Sequence, residues 1–139
     1  MKTRKVYLDT NVVSDIIDIN RKNHSDTLEL LKKLIINNYE IAISEDMLST
    51  LYYILNDKEN TLQFFQEVIF VDWNVLVFGN SVLQNATKLS FEKKLDFEDL
   101  LQCLCAKENE CGFFITNDKK FYDCGVKVLT TKEFLKYLQ

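Results

Sequence analysis

Short apolar runs alternate along the chain with segments that carry a helical stripe, and this alternation limits the fold more than any other feature. The runs favour β-strands because they are short and rich in β-branched and aromatic residues. Apolar residues three and four positions apart indicate the helices between them. Strands that alternate with helices predict an α/β fold with a central, mainly parallel sheet. We expect five strands with helices on both faces.

The same patterns predict the elements. The predicted strands are Arg4–Leu8, Tyr39–Ile43, Val68–Val71, Gly112–Ile115 and Lys127–Leu129. The predicted helices are Asn11–Ile19, one capped by Ser25 and Asp26 that buries Leu28, Leu30, Leu31, Leu34 and Ile35, one capped by Ser44, and then Leu62–Glu67, Gly79–Lys93, Asp96–Glu110 and Thr131–Leu138. The chain has 139 residues, no proline and three glycines, so no linker is evident and we expect a single domain, 1–139.

Composition and charge narrow the functional classes. No apolar run approaches the ~20 residues of a membrane span, and only three apolar residues follow the basic N-terminus, which is unlike a signal peptide. We therefore expect a cytoplasmic protein with no membrane partner. The net charge of −4 argues against a wholly basic nucleic-acid-binding surface. Lysines nevertheless flank two acidic motifs, where they either steer a phosphate backbone or form ordinary solvated faces: Lys93, Lys94, Lys119 and Lys120.

The four cysteines do not have the close pairing of a zinc site, and the chain has one histidine. Cytosolic thiols stay reduced, so we expect buried, small apolar side chains at these positions. They are Cys103, Cys105, Cys111 and Cys124.

Acidic residues occur where predicted strands end and where predicted helices begin. Asp9 follows the first predicted strand, Asp118 follows the fourth, and Asp96 and Asp99 open a helix. Because the carboxyl ends of parallel strands gather at one sheet edge, these acids can meet in space. Crowded carboxylates repel each other and stay ionised only near positive charge. Hard oxygen ligands suit Mg²⁺ or Mn²⁺, and the pattern favours metal-dependent phosphoryl chemistry.

Each of these acids also has a purely structural interpretation. Asp9 can cap the following helix, and Asp96 can cap its own helix with Asp99 at the third position. Glu98 is expected to be solvated because it points about 100° away from Asp99. Asp99 lies where the helix becomes apolar, at a place where an unpartnered carboxylate is costly. It is therefore the best catalytic candidate of its cluster.

At these residues the sequence resembles PIN domains, the fold of VapC-type toxins and related ribonucleases. The similar segments are Tyr-Leu-Asp-Thr-Asn at 7–11, Asp-Phe-Glu-Asp-Leu-Leu-Gln at 96–102, Ile-Thr-Asn-Asp-Lys-Lys-Phe at 115–121, and a last strand and helix at 126–135. They occur in the family's order over essentially the whole chain. The resemblance implies a PIN-like three-layer fold.

The resemblance also implies a site. It places metal-binding acids at Asp9, Asp99 and Asp118, with Asp96 as a further catalytic acid and Mg²⁺ or Mn²⁺ as cofactor. Positions expected to contact substrate are Asn11, Thr116, Asn117 and Lys119. A further acid that the family carries on the helix after the second strand falls on Thr50, which has no charge. Glu45 or Asp46, about one turn earlier, is a possible replacement.

The function implied is a metal-dependent endoribonuclease that hydrolyses RNA phosphodiester bonds, as the toxin of a type II toxin–antitoxin pair. Its partners would be RNA, a cognate antitoxin and a second copy in a homodimer. The alternatives are a catalytically weak PIN-like module that binds RNA or protein, and a small phosphohydrolase on another α/β fold. Four aromatic residues either line an antitoxin groove or, as we favour, pack in the core: Tyr52, Tyr53, Phe64 and Phe65.

Overall fold

The computed structural model describes residues 4–118 and 122–139. Its strands are β1 (Lys5–Leu8), β2 (Glu40–Ser44), β3 (Asn74–Leu76), β4 (Phe113–Ile115) and β5 (Lys127–Leu129). Its helices are α1 (Thr10–Ile17), α2 (His24–Ile36), α3 (Glu45–Ile54), α4 (Lys58–Phe64), α5 (Phe70–Asp72), α6 (Gly79–Lys93), α7 (Phe97–Glu108) and α8 (Thr131–Tyr137). A π-helical turn, Phe65–Ile69, joins α4 to α5.

The five strands form one parallel sheet in the order β3-β2-β1-β4-β5. The chain therefore adds β2 and then β3 on one side of β1, and later adds β4 and β5 on the other side. Such a reversal creates a crevice at the carboxyl ends of the two central strands, where α/β proteins bind ligands. Here the crevice lies between β1 and β4, whose last paired residues are Leu8 and Ile115. The predicted parallel α/β sheet is confirmed.

Helices cover both faces of the sheet. On one face Tyr7 stacks on Phe114 with ring centroids 5.3 Å apart, and its hydroxyl contacts Gln102 of α7. On the other face Phe113 packs against Phe134 of α8 at 5.1 Å. Successive residues of a strand point to opposite faces, so β1 and β4 are buried on both. This explains why both read as nearly continuous apolar runs.

The predicted strand Val68–Val71 is wrong, because this segment is helical. A short apolar run with β-branched residues is compatible with either structure. In the structure Phe65, Ile69 and Trp73 are buried at a spacing of four, whereas Phe70 and Val71 are 60% and 67% exposed. The buried stripe therefore has the helical period. The predicted helix Leu62–Glu67 is the middle of this longer helical stretch, and the third strand follows it as β3.

Helix α2 also differs from its prediction. It begins at His24, with Asn23 rather than Ser25 or Asp26 at the N-cap, and Asn23 makes no side-chain capping hydrogen bond. Asp26 lies in the first turn, where a negative charge complements the helix dipole. Ile35, predicted to be buried, is 62% exposed. Ser44, by contrast, caps α3 as predicted, since its hydroxyl accepts a hydrogen bond from the Met47 amide at 3.1 Å.

All four cysteines are buried, as expected, but two are not reduced. Cys103 of α7 and Cys124 form a disulfide with a Cα–Cα distance of 6.1 Å, while Cys105 and Cys111 are free thiols. The prediction failed because it used the compartment alone. The pairing depends on α7 lying against the segment before β5, a proximity that spacing along the chain does not reveal.

Within residues 4–118 and 122–139, no helix combines the length and the apolar character that crossing a membrane requires.

Candidate active site

Asp9 lies at the carboxyl end of β1 and is held by three hydrogen bonds. It is 6% exposed. Its Oδ1 accepts a hydrogen bond from the Thr10 amide at 2.9 Å, so it caps α1 as the structural interpretation predicted. Its Oδ2 accepts hydrogen bonds from Asn11 Nδ2 at 3.1 Å and Thr116 Oγ1 at 2.7 Å. The carboxylate is thus fixed by neighbours in the first turn of α1 and directly after β4.

Thr116 connects these groups. Besides donating to Asp9, its hydroxyl oxygen accepts hydrogen bonds from Asn11 Nδ2 at 3.3 Å and from the Asp118 amide at 3.1 Å. Asn11 Oδ1 in turn accepts from the Asn117 amide at 3.2 Å. These contacts tie the end of β1 to the end of β4. The structure therefore brings together Asp9, Asn11, Thr116, Asn117 and Asp118, as predicted.

The acids of α7 form the other side of the crevice. Asp96 is the N-cap of α7, and its Oδ2 accepts a hydrogen bond from the Asp99 amide at 2.9 Å. Its predicted capping role is confirmed. Asp99 is half-buried in the first turn of α7, immediately before the buried Leu100. In the described part of the chain its carboxylate has no hydrogen-bond partner.

The acids of the two sides are close enough to raise each other's pKa. Burial, and then the carboxylates of Asp96, Asp9, Asp118 and Glu98, raise the pKa of Asp99 to about 6. Burial is also the main cause that raises the pKa of Asp9, opposed by its hydrogen bonds and reinforced by Asp118. Carboxylates whose pKa rises through mutual repulsion favour a cation between them.

The residue types at this site suit a divalent cation, but the structure does not bring enough of them together to enclose one. Among residues 4–118 and 122–139, no three acidic, histidine or cysteine side chains converge closely enough to form a complete metal cluster. The donors that face the crevice are nevertheless all hard oxygens, which Mg²⁺ and Mn²⁺ prefer.

The remaining predicted residues divide into several groups. Lys119 and Lys120 lie outside the described residues, and Lys93 and Lys94 are exposed at the end of α6. Thr50 is half-buried on α3 and provides no acid there.

Of the four aromatic residues, Phe64 and Phe65 pack in the core as favoured. Tyr53 is 84% exposed, and Tyr52 lies under the Lys58 ammonium at 5.0 Å. Core packing was therefore the wrong interpretation of both tyrosines.

The sequence interpretation missed a buried polar chain behind α7. Gln102 is buried between the Tyr7 hydroxyl, the Ser44 hydroxyl and Glu98. Glu98 was expected to be solvated. It is exposed, but its carboxylate is held by a hydrogen bond from Gln102 Nε2 at 3.0 Å. A glutamine on an otherwise apolar helix face was the available signal, because a buried amide needs several partners.

Comparison with known proteins agrees with this architecture. Residues 6–127 match the PIN domain family. Ribonuclease VapC1 of Aquifex aeolicus (strain VF5) is 36% identical over 138 residues, which are 96% of this chain and 95% of that protein. The chain therefore belongs to the PIN domain family.

Solved structures show the same fold at low identity. The Mycobacterium tuberculosis toxin VapC20, described as cleaving the sarcin–ricin loop, superposes with a TM-score of 0.71 at 12% identity, over 87% of this chain and 95% of its own. VapBC2 from Rickettsia felis, bound to a DNA fragment from its promoter, gives 0.67 at 20% identity, over 91% and 98%. A toxin–antitoxin complex from Klebsiella pneumoniae gives 0.67 at 16%, over 91% and 97%.

Proposed function

We propose that this PIN-domain protein is a metal-dependent endoribonuclease and the toxin of a toxin–antitoxin pair. The observation that carries the proposal is at the carboxyl ends of β1 and β4, where hydrogen bonds join Asp9, Asn11, Thr116 and Asp118 and the carboxylates of Asp9 and Asp118 help to raise the pKa of Asp99. The similarity to Ribonuclease VapC1, over nearly the whole of both chains, supports RNA as the substrate.

The residues of the crevice have distinct roles in this proposal. Asp9 is the fixed ligand, because its hydrogen bonds hold it whether or not a cation is present. Asp99 and Asp118 complete the cation site from the opposite side and from the end of β4. Asn11, Thr116 and Asn117 orient these carboxylates and contact a phosphate. Asp96 acts chiefly by capping α7, which fixes the direction of Asp99.

The cofactor is Mg²⁺ or Mn²⁺, which when bound lowers the pKa of water and stabilises charge that develops on phosphate. Oxygen ligands without histidine or sulfur favour these ions over zinc or copper. Lys93 and Lys94, exposed at the end of α6 and shortly before Asp96, add positive charge, which an RNA backbone needs in order to approach an acidic crevice.

The partners follow from the same relatives. The similar Klebsiella pneumoniae structure is a toxin–antitoxin complex, so we infer a cognate antitoxin for this chain. A homodimer is the commonest oligomer among soluble proteins and is part of the proposal.

The test uses purified protein and its Asp99→Asn variant with single-stranded and structured RNA, in Mn²⁺, Mg²⁺ or EDTA. Cleavage is expected only with metal and only from the wild type. Cleavage in EDTA would overturn the metal dependence. Cleavage retained in the variant would overturn the site. Hydrolysis of a chromogenic phosphomonoester with no cleavage of RNA would favour the phosphohydrolase alternative.

The neutral Thr50 on α3 favours a second candidate, a PIN-domain module that binds RNA or protein with weak catalysis. Stoichiometric RNA or antitoxin binding by folded protein, without turnover in any metal, would support this candidate over the nuclease.

A further inference from the structure

A cleft of about 340 Å³ lies between the residues that follow β4 and β5 and the start of α2. Its wall includes Asn117, whose backbone amide donates a hydrogen bond to Asn11 Oδ1 of the crevice at 3.2 Å. Asp118 is the next residue of the chain, with its Cα about 3.8 Å away. The cleft and the crevice therefore adjoin at two consecutive residues.

Two residues in the wall of this cleft carry buried donors without a partner. Asn117 Oδ1 accepts the Thr131 amide hydrogen at 3.1 Å, which fixes Asn117 Nδ2 as a donor. Among residues 4–118 and 122–139 that nitrogen has no hydrogen-bond partner, and neither has the hydroxyl of Thr131, a residue that is 2% exposed. A buried donor without a partner costs free energy, which an anion seated in the cleft would recover.

The charges around the cleft also favour an anion. Lys22 and Lys132 line it, and neither forms an ion pair with any residue that the structure describes. Asp26 is the acid among the lining residues, so positive charge exceeds negative charge there. Asn23, at the N-cap of the 13-residue helix α2, makes no side-chain capping hydrogen bond, and the dipole of this helix therefore adds positive charge that no capping side chain offsets.

We propose that this cleft is a second phosphate site, which binds a backbone phosphate of the RNA other than the one that is cleaved. The inference rests on the proposed ribonuclease function, because that function supplies RNA as the ligand. Asn117 Nδ2 and Thr131 Oγ1 donate hydrogen bonds to the phosphate oxygens, and Lys22 and Lys132 balance the phosphate charge. Such contacts fix the position of the strand across the crevice without reading its sequence.

The first test is binding of a fluorescent single-stranded oligoribonucleotide, followed by anisotropy in EDTA, and its readout is the slope of log affinity against log salt concentration. Lys22→Gln and Lys132→Gln should each make the slope shallower by about 0.7, the contribution of one phosphate contact on a single strand. The control substitutions Lys33→Gln and Lys136→Gln make the same charge change in the last turns of α2 and α8, and should leave the slope unchanged. Equal changes from both pairs would overturn the site.

Thr131 separates RNA binding from stability. Thr131→Val removes a donor that the described residues leave unpaired, so it should weaken RNA binding about tenfold while the free energy of unfolding stays the same or rises. Thr131→Ser keeps the hydroxyl and should bind RNA nearly as tightly as wild type. Wild-type RNA affinity in Thr131→Val, or an equal loss of affinity in both variants, would overturn the role of the hydroxyl in the site.

Asp26→Asn should change RNA binding in the opposite direction. It removes the acid that lines the cleft, and RNA affinity should therefore rise about two- to fivefold. Unchanged or weaker binding would contradict a phosphate in this cleft.

Cleavage kinetics in Mn²⁺ separate this inference from the proposed function. The double variant Lys22→Gln/Lys132→Gln should raise KM for RNA with kcat unchanged, because a phosphate away from the reacting bond is bound equally before and during the reaction. A wild type that cleaves RNA, with KM and salt slope unchanged in the double variant, would overturn this inference alone. A wild type that neither binds nor cleaves RNA would overturn both. Tight binding of inorganic phosphate, with RNA affinity unchanged in the double variant, would make the cleft a small-anion site and overturn the proposal.

Discussion

The two sides of the crevice hold their acids by different means. On the strand side, Asp9 accepts three hydrogen bonds, from Thr10, Asn11 and Thr116. On the helix side, the Asp99 carboxylate has none within the described residues, and it faces several like charges. The strand side is therefore organised before any cation binds, whereas the helix side keeps an electrostatic repulsion that a cation would relieve.

The two sides differ because one consists of neighbouring strand ends and the other of side chains from a single helix. The ends of two parallel strands lie about 4.8 Å apart, so short polar side chains can bridge them directly. Helix α7 reaches that edge only through its side chains. Among its acids, Asp96 is held by its capping hydrogen bond with the Asp99 amide, and Glu98 by a hydrogen bond from Gln102. Substitutions should therefore disturb affinity and stability together on the strand side, but separately on the helix side.

The largest expected effect is the loss of cleavage on neutralising either acid. Asp9→Asn and Asp99→Asn should each lower RNA cleavage at least about a hundredfold, since a catalytic metal contributes several kcal/mol. The two variants should differ in stability. Asp99→Asn relieves repulsion and should melt at or above the wild-type temperature in EDTA, whereas Asp9→Asn loses part of a hydrogen-bond network and should melt lower.

Cleavage assays and thermal melts on both variants check this expectation, with the exposed Asp72→Asn as the control that should match wild type. Equal destabilisation by both site variants would break the comparison between the two sides.

The disulfide that joins the two sides should have the next largest effect. Cys103 lies on α7, and Cys124 follows the segment that begins with Asp118. A cross-link over 21 residues stabilises by about 3 kcal/mol, chiefly by restricting the unfolded chain. Complete reduction should lower the free energy of unfolding of wild type by about that amount and leave Cys103→Ser unchanged.

Equilibrium unfolding in urea, with and without reductant, measures this effect. Cys105→Ser is the matched control on the same helix and should remain sensitive to reductant. Wild-type protein that is insensitive to reductant would contradict a stabilising bridge.

Thr116 should have a smaller effect that is confined to the strand side. Thr116→Val removes the donor to Asp9 and the acceptor for Asn11 and Asp118, at a cost of about 1–3 kcal/mol. Thr131→Val is an isosteric control. Within residues 4–118 and 122–139 the buried Thr131 hydroxyl has no hydrogen-bond partner, so its loss should be neutral or stabilising. Urea unfolding of the two variants compares them directly. Equal destabilisation would mean that the hydroxyl of Thr116 does not anchor Asp9.

The strand side could be predicted from the sequence because its parts are local. An apolar run followed by an acid places Asp9 and Asp118 at strand ends, and a parallel sheet then brings those ends together. Thr116 and Asn117 directly precede Asp118, so their neighbourhood follows from the same step. The capping of α7 by Asp96 was likewise visible in its spacing from Asp99.

The helix side and the third strand could be predicted only in part, because they depend on distant contacts. The run 68–71 is apolar in either conformation, and only its packing with Phe65 and Trp73 decides for helix. Glu98 appeared solvated from its angle on α7. Its anchor requires Tyr7 and Ser44 to converge on Gln102, and these residues lie 95 and 58 positions away along the chain. Cys103 and Cys124 were misjudged for the same reason.

The smallest expected effect is a dependence of stability on pH that comes from the helix side. Asp99 has a pKa of about 6 in the folded protein, against 3.8 as the ordinary value. The folded state therefore holds a proton that the unfolded chain releases, and this contribution is fully present below the ordinary value. It is lost as the pH rises through about 6.

In EDTA, wild type should thus lose stability relative to Asp99→Asn across this range, as measured by thermal melts of both proteins. Saturating Mn²⁺ should reverse the trend, because the cation binds the ionised carboxylate. A wild type that gains stability over the variant across the same range without metal would mean that Asp99 is already stabilised as a carboxylate, and the contrast between the two sides would disappear.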